Sequence, residues 1–217
     1  MSFVVFDFDG TLSETDATVL LGREYGVGSE IRGLTEQGLR GEVEFERSLR
    51  QRAALLEGMP EREVEAAFER CKLREGAAEL ITALRRSGVT VAIVTGAPED
   101  GVEAALERAG VAVDHLVANE LPMENGALTG EIEGLLVDAG KDRALQELAA
   151  AEGVDAGEVI AVGNGAMDLP MLRAAGTAIG FQPEPLVEEY ADEVVTSIRK
   201  LRLYFEQHGV IDVGNEE

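Results

Sequence analysis

The chain has 217 residues, with Lys+Arg 19 against Asp+Glu 42 and a formal net charge of −23. A field of that sign repels phosphate backbones and anionic lipid, which excludes neither fold nor catalysis but argues against nucleic-acid and membrane partners. Hydrophobic residues make up 45%, too many for a disordered chain, and the length fits one domain of ~150 residues, or one with a large insertion. One cysteine, Cys71, rules out an intramolecular disulfide. No stretch approaches ~18 consecutive apolar residues, and MSFVVFDFDG lacks the basic start of a signal peptide. The expectation is a cytoplasmic globular protein, monomer or homodimer. Only Lys72, Lys141 and Lys200 are lysines, and acid is spread along the whole chain. This composition reads as halophilic, since salt screens self-repulsion.

The first element is FVVFDF (3–8), a short apolar run that predicts a buried strand. From Asp16 to about Lys72 the pattern is helical and charged, broken by Gly41, Gly58 and Pro60 into three or four helices. Residues 76–87 predict a helix ended by Gly88, VTVAIVTG (89–96) a second strand, and 99–109 a helix closed by Gly110. Residues 115–137 predict short strands around Asn125-Gly126, the favoured type I′ hairpin pair. A helix over 141–152, a strand over 159–162, the loop GNGAMD, a helix over 169–175, a strand over 177–181 and a tail helix over 197–207 complete the chain. This alternation predicts an α/β fold, a Rossmann-like parallel sheet with helices on both faces. The helical stretch 13–72 interrupts the alternation and reads as an inserted cap, leaving 1–12 and 73–217 as the core.

Open α/β sheets gather their sites beyond the carboxyl ends of the strands. Four polar signals fall there: Asp7 and Asp9, Thr95-Gly96, Lys141, and Asn164 with Asp168. Two carboxylates two residues apart repel, which favours a shared proton or a bound cation. Gly10-Thr11-Leu12 then supplies a turn whose amides can face an anion. A lone D-x-D is usually a turn and a lone lysine usually solvated; their convergence on one sheet edge carries the argument. Gly163-Asn164-Gly165 lacks the third glycine of a dinucleotide fingerprint, and Gly140-Lys141-Asp142 lacks the glycine and hydroxyl of a P-loop. His115, His208 and Cys71 form no zinc pattern.

DFDGTL (7–12), followed in order by Thr95, Lys141 and the loop 163–168, resembles the haloacid dehalogenase superfamily. GEVEFERSLRQRAALL (41–56), ANELPMENGALTGEIEG (118–134) and GNGAMDLPML (163–172) make the chain most similar to its phosphoserine phosphatases, over nearly its whole length. The resemblance implies Asp7 as nucleophile, Asp9 as general acid/base, and Thr95 with Gly96 as phosphate binders. It implies Lys141 as the cation steadying phosphate and nucleophile. Glu14 would meet the substrate amine, Arg52 its carboxylate, and Phe45 would shield the site. Mg²⁺ would be held by Asp7, Asp9 and Asn164, with Asp168 in support. Two positions depart from the family's G-D-G-A-N-D loop: Asn164 replaces a metal-ligating Asp and brings no charge, and Met167 replaces an Asn that touches substrate. The implied activity is Mg²⁺-dependent hydrolysis of a small phosphomonoester, O-phosphoserine, through an aspartyl phosphate, in serine biosynthesis. The alternatives are a phosphatase or phosphotransferase for another small phosphorylated metabolite, or a non-catalytic phosphate-ligand binding protein.

Overall fold

The structure is a computed structural model and describes residues 2–212. The chain opens with β1 (Phe3–Phe6), then runs through α1 (Ala17–Tyr25), α2 (Gly28–Leu39), α3 (Phe45–Ala54), α4 (Glu61–Phe68) and α5 (Ala77–Arg86). It continues with β2 (Thr90–Pro98), α6 (Glu99–Ala109), β3 (His115–Asn119), β4 (Met123–Glu124), β5 (Ala127–Leu128) and α7 (Leu135–Asp138). Last come α8 (Gly140–Glu152), β6 (Val159–Gly163), α9 (Leu169–Ala174), β7 (Thr177–Phe181), α10 (Pro185–Glu188), β8 (Glu193–Val195) and α11 (Ile198–Gln207).

Six strands form one sheet in the order β3-β2-β1-β6-β7-β8, every pair parallel. β1 lies inside it and is buried at all four residues. Successive side chains of a strand face opposite ways, and the core divides accordingly. Val4 and Phe6 join the apolar cluster that includes Leu80, Leu84, Val102 and Phe205 of α5, α6 and α11. Phe3 and Val5 join the other, with Ala144, Leu145 and Leu172 of α8 and α9. The fold is therefore the α/β arrangement expected, with helices on both faces. Helices α1 and α4 share the first cluster through Leu21, Val64 and Ala67. A small third cluster joins Leu49 and Ala53 of α3 to Ile132 and Val137.

Three expectations need correction. The segment 115–119 is not a hairpin strand: β3 pairs parallel with β2 at one edge of the large sheet. Only β4 and β5 form the hairpin, at Asn125 (φ 53°) and Gly126 (φ 79°). Residues 135–138 are the short helix α7 rather than strand. The third concerns the gap left between 181 and 197, which the structure fills with α10 and β8.

The exposed helix faces carry arginines paired one turn away from glutamates: Arg40–Glu36 (3.2 Å), Arg50–Glu46 (2.9 Å), Arg143–Glu147 (2.8 Å) and Arg202–Glu206 (2.7 Å). Among the described residues no helix is long and apolar enough to cross a membrane.

Candidate active site

The sheet register sets the floor of the site. Phe6 of β1 stands opposite Ile93 of β2 and Val162 of β6, so the residues leaving these three adjacent strands emerge side by side. Asp7 continues the ladder, its N–H donating to the Val162 carbonyl at 2.9 Å. Thr95 comes from β2, and Asn164 follows β6. Gly10 turns the chain back with φ 86°, and a side chain there would collide with that of Asn164. The amides of Gly10 and Thr11 do not face the cavity as expected. They close the turn by donating to the Ser13 carbonyl (2.9 Å) and the Phe8 carbonyl (3.1 Å). Arg74 holds the outer side of the same turn, Nε donating to the Thr11 carbonyl and Nη2 to the Gly10 carbonyl, both at 3.0 Å.

Lys141 enters from the first turn of α8. Its ammonium lies 2.5 Å from Asp7 Oδ1 and 2.6 Å from Asp168 Oδ1, all three groups buried. The other Asp168 oxygen accepts the N–H groups of Asn164 (2.8 Å) and Gly165 (3.0 Å). Asp168 thus fixes the ammonium and the 164–165 backbone together. Asp9 Oδ1 accepts the Ala17 N–H at 3.1 Å.

The roof comes from α1–α3. Phe45, Leu49 and Arg52 recur at i, i+4 and i+7 on α3 and so share one face. Gly96 lies under that face: a Cβ there would meet Leu49 Cδ2 at 3.0 Å and Phe45 Cε2 at 3.0 Å. The Phe45 ring centroid is 6.0 Å from the Lys141 ammonium. Arg52 is buried, with Nη1 donating to Asp16 Oδ2 (2.8 Å), Thr18 Oγ1 (3.0 Å) and Thr35 Oγ1 (3.2 Å). Its Nε has no partner among the described residues. Asp16 also caps α1, Oδ1 accepting the Val19 N–H at 2.9 Å.

Together these groups enclose a cavity of about 160 Å³. All eleven residues singled out from the sequence line it: Asp7, Asp9, Glu14, Phe45, Arg52, Thr95, Gly96, Lys141, Asn164, Met167 and Asp168. Asp16, Thr35 and Leu39 line it too and were missed. Asp16 had a readable signal, an acid three residues before a helical Val, which is the spacing of an N-cap. Glu14 sits at the rim, its side chain 72% exposed and 3.7 Å from Arg74 Nη1. The Asp16 side chain is 13% exposed and lies against Arg52.

The electrostatics are those of crowded, desolvated acids. Burial, then the neighbouring Asp168, push the Asp7 carboxyl up to about 7 against the opposing pull of Lys141. Burial, then Asp16 and Asp7, hold Asp9 well above the ordinary carboxylate range. For Lys141 burial acts downward, but Asp168 and Asp7 outweigh it and keep the ammonium charged. Cys71 is pushed up to about 12 by burial and then Asp9, which makes it an inert thiol.

Among the described residues no three His, Cys, Asp or Glu side chains are grouped to hold a metal ion. The oxygen donors here come from Asp7, Asp9 and the amide of Asn164. Among the described residues the buried Asn164 Oδ1 has no hydrogen-bond partner, and burial and neighbouring acids raise both Asp7 and Asp9. Such a set suits a hard divalent cation.

A parallel sheet with this edge, an aspartate at the end of the first strand and a buried lysine reaching it define a class. The chain belongs to the haloacid dehalogenase-like hydrolases, matching that family over residues 4–173. It is an enzyme of the phosphatase kind, and its relatives include phosphoserine phosphatases. One from Halobacterium salinarum is 44% identical over 210 residues, spanning 97% of this chain and 100% of the relative. A solved phospho-aspartyl intermediate analogue of phosphoserine phosphatase superposes with a TM-score of 0.88 at 35% identity, covering 94% of this chain and 98% of the other. A substrate-bound phosphoserine phosphatase complex gives a TM-score of 0.88 at 34% identity, covering 94% and 97%.

Proposed function

We propose that this chain hydrolyses O-phosphoserine to serine and phosphate, with Asp7 as nucleophile. The observation that carries the reading is one cavity with two unlike ends. Asp7, Thr95 and Lys141 offer a nucleophile, a hydroxyl and a cation for phosphate; Asp16 and Arg52, 2.8 Å apart, offer an anion and a guanidinium for a zwitterion. Asp7 attacks phosphorus and forms an acyl phosphate, which divides one difficult hydrolysis into two steps. Asp9 donates a proton to the departing serine oxygen, then takes one from the water that cleaves the acyl phosphate. Lys141 offsets charge on the phosphoryl oxygens. The segment 13–72 acts as the cap, and Phe45 and Leu39 keep bulk water from the acyl phosphate.

We assign the substrate amine to Asp16 in place of Glu14, because Asp16 is recessed beside Arg52 whereas Glu14 stands in solvent. The test is phosphate release from phosphoserine against glycerol phosphate, which lacks both charged groups of the amino acid. Arg52→Ala should raise KM for phosphoserine by the equivalent of about 2–4 kcal/mol and leave glycerol phosphate nearly unchanged. Asp16→Asn should act in the same sense, and Glu14→Gln should do little. Equal losses on both substrates would make Arg52 architectural and overturn the phosphoserine reading.

Asp7, the Asp9 carbonyl and Asn164 would hold Mg²⁺, with Asp168 behind them. When bound, Mg²⁺ supplies positive charge for the phosphoryl oxygens. With an amide where a further carboxylate could stand, the site has one charge fewer for the ion and one fewer to repel phosphate. Asn164→Asp should lower the Mg²⁺ concentration for half-activity about ten-fold, or ~1.4 kcal/mol. The rise of the melting midpoint with Mg²⁺ should shift to lower concentration alongside. If both titrations coincide with those of the native chain, Asn164 is no ligand. We read the acidic excess as adaptation to high salt in the cytoplasm, and the reaction as the serine-releasing step of an amino-acid biosynthesis.

A further inference from the structure

We propose that Asn119, which lies behind the cavity wall, is the positioning residue that sets the Thr95 hydroxyl as a hydrogen-bond donor. The inference rests on the reading of Thr95 as a phosphate ligand and adds what orients it. β2 and β3 run in register through Val94↔Val117 and resume at Pro98↔Asn119. Between those pairs β2 carries Thr95, Gly96 and Ala97, while β3 carries only Ala118. The surplus residues bulge out of the ladder, as bulges beside active sites do. A bulge costs the strand its regular partners, and the Gly96 carbonyl would be left without one.

The Asn119 side chain fills that gap. It is fully buried, and its Nδ2 donates to the Gly96 carbonyl at 3.1 Å. In a trans peptide the C=O and the next N–H point in opposite directions. Fixing the Gly96 carbonyl toward Asn119 therefore turns the Ala97 N–H the other way, where it donates to Thr95 Oγ1 at 3.1 Å. A hydroxyl has one hydrogen and two acceptor sites. With a lone pair engaged by Ala97, the Thr95 hydrogen is left for an acceptor in the cavity, which a phosphate oxygen is.

The other end of the amide shows how firmly it is held. Among the described residues Asn119 Oδ1 is buried without a hydrogen-bond partner, an arrangement that native proteins keep at few places. It faces Gly134, which has φ 141°, and a Cβ there would lie 2.7 Å from that oxygen. Turning the amide over would set two carbonyl oxygens against each other at Gly96. The segment beyond is tied down as well, with Glu120 and Glu133 exchanging backbone hydrogen bonds of 2.8 and 3.0 Å.

The experiment measures inorganic phosphate as a competitive inhibitor, the preference for phosphoserine over glycerol phosphate, and the melting midpoint. Asn119→Asp keeps the shape but loses the donor, and Asn119→Ala removes the donor without adding a buried charge. Each should weaken phosphate inhibition about ten-fold, the size of one hydrogen bond, while the substrate preference set by Arg52 stays. In a Thr95→Val background, adding Asn119→Ala should bring no further loss, since the two act on one contact. Independent, multiplying losses would overturn the proposal, as would a collapse of substrate preference together with phosphate affinity. Thr95→Val with native phosphate affinity would overturn it through its premise, and would do so without touching the assignment of Asp7.

Discussion

Asp7→Asn should fold, bind phosphoserine, and lose turnover by about 10³-fold or more, the usual effect of deleting a nucleophile. An amide oxygen of the same shape can still accept from Lys141, so the 2.5 Å contact has a substitute. The backbone bond from Asp7 to Val162 does not involve the side chain. What the amide lacks is the anionic oxygen that attacks phosphorus. Phosphate release under saturating Mg²⁺ is the measurement, with a melting curve to certify the fold. Activity above about 1% of native would refute the nucleophile assignment, because losing a nucleophile normally costs about 10³-fold or more.

Lys141→Met should damage both stability and rate. The ammonium stands between two buried carboxyl groups, 2.5 and 2.6 Å away. Removing it leaves Asp7 and Asp168 to repel each other in a poorly solvated site. Breaking a buried ion pair from one side typically costs about 3–5 kcal/mol, and urea unfolding in the absence of Mg²⁺ should read a loss of that order. The rate should fall by at least about 10²-fold, since an electrostatic contact to the transferring group goes with it. Unchanged stability would mean that the three groups do not share the buried charge network described above.

Most of the sheet was legible because its strands are apolar runs bounded by glycine or acid: the 159–162 and 177–181 segments carry their burial in their composition. β8 was not legible. It has three residues, two of them exposed, and its place is set by pairing with β7 rather than by any pattern of its own. β3 was misread because four of its five residues are only half-buried, as an edge strand allows, and an Asn-Gly pair follows closely. In the site, strand-end acids and Lys141 were legible as chemistry. Asp16 was legible only as a helix cap, and Arg74 and Asn119 not at all, because the importance of all three lies in partners 36, 63 and 23 residues away. No local spacing records an Asn that replaces a lost ladder bond across a bulge.

The distribution of positive charge has a consequence for how substrate arrives. Four arginines on the helix faces are neutralised one turn away by glutamates, whereas Arg52 and Lys141 are sunk beneath the surface. An approaching dianion therefore meets a negative shell before it meets any cation able to hold it. Such a shell is felt across a Debye length, about 30 Å at 0.01 M salt and about 3 Å at 1 M. In dilute buffer the repulsion extends well beyond the mouth of the cavity; in brine it shrinks to the width of the first hydration layer. Productive encounters with this molecule should accordingly become more frequent as salt is added, opposite to the behaviour of an enzyme that draws anions in along a basic channel.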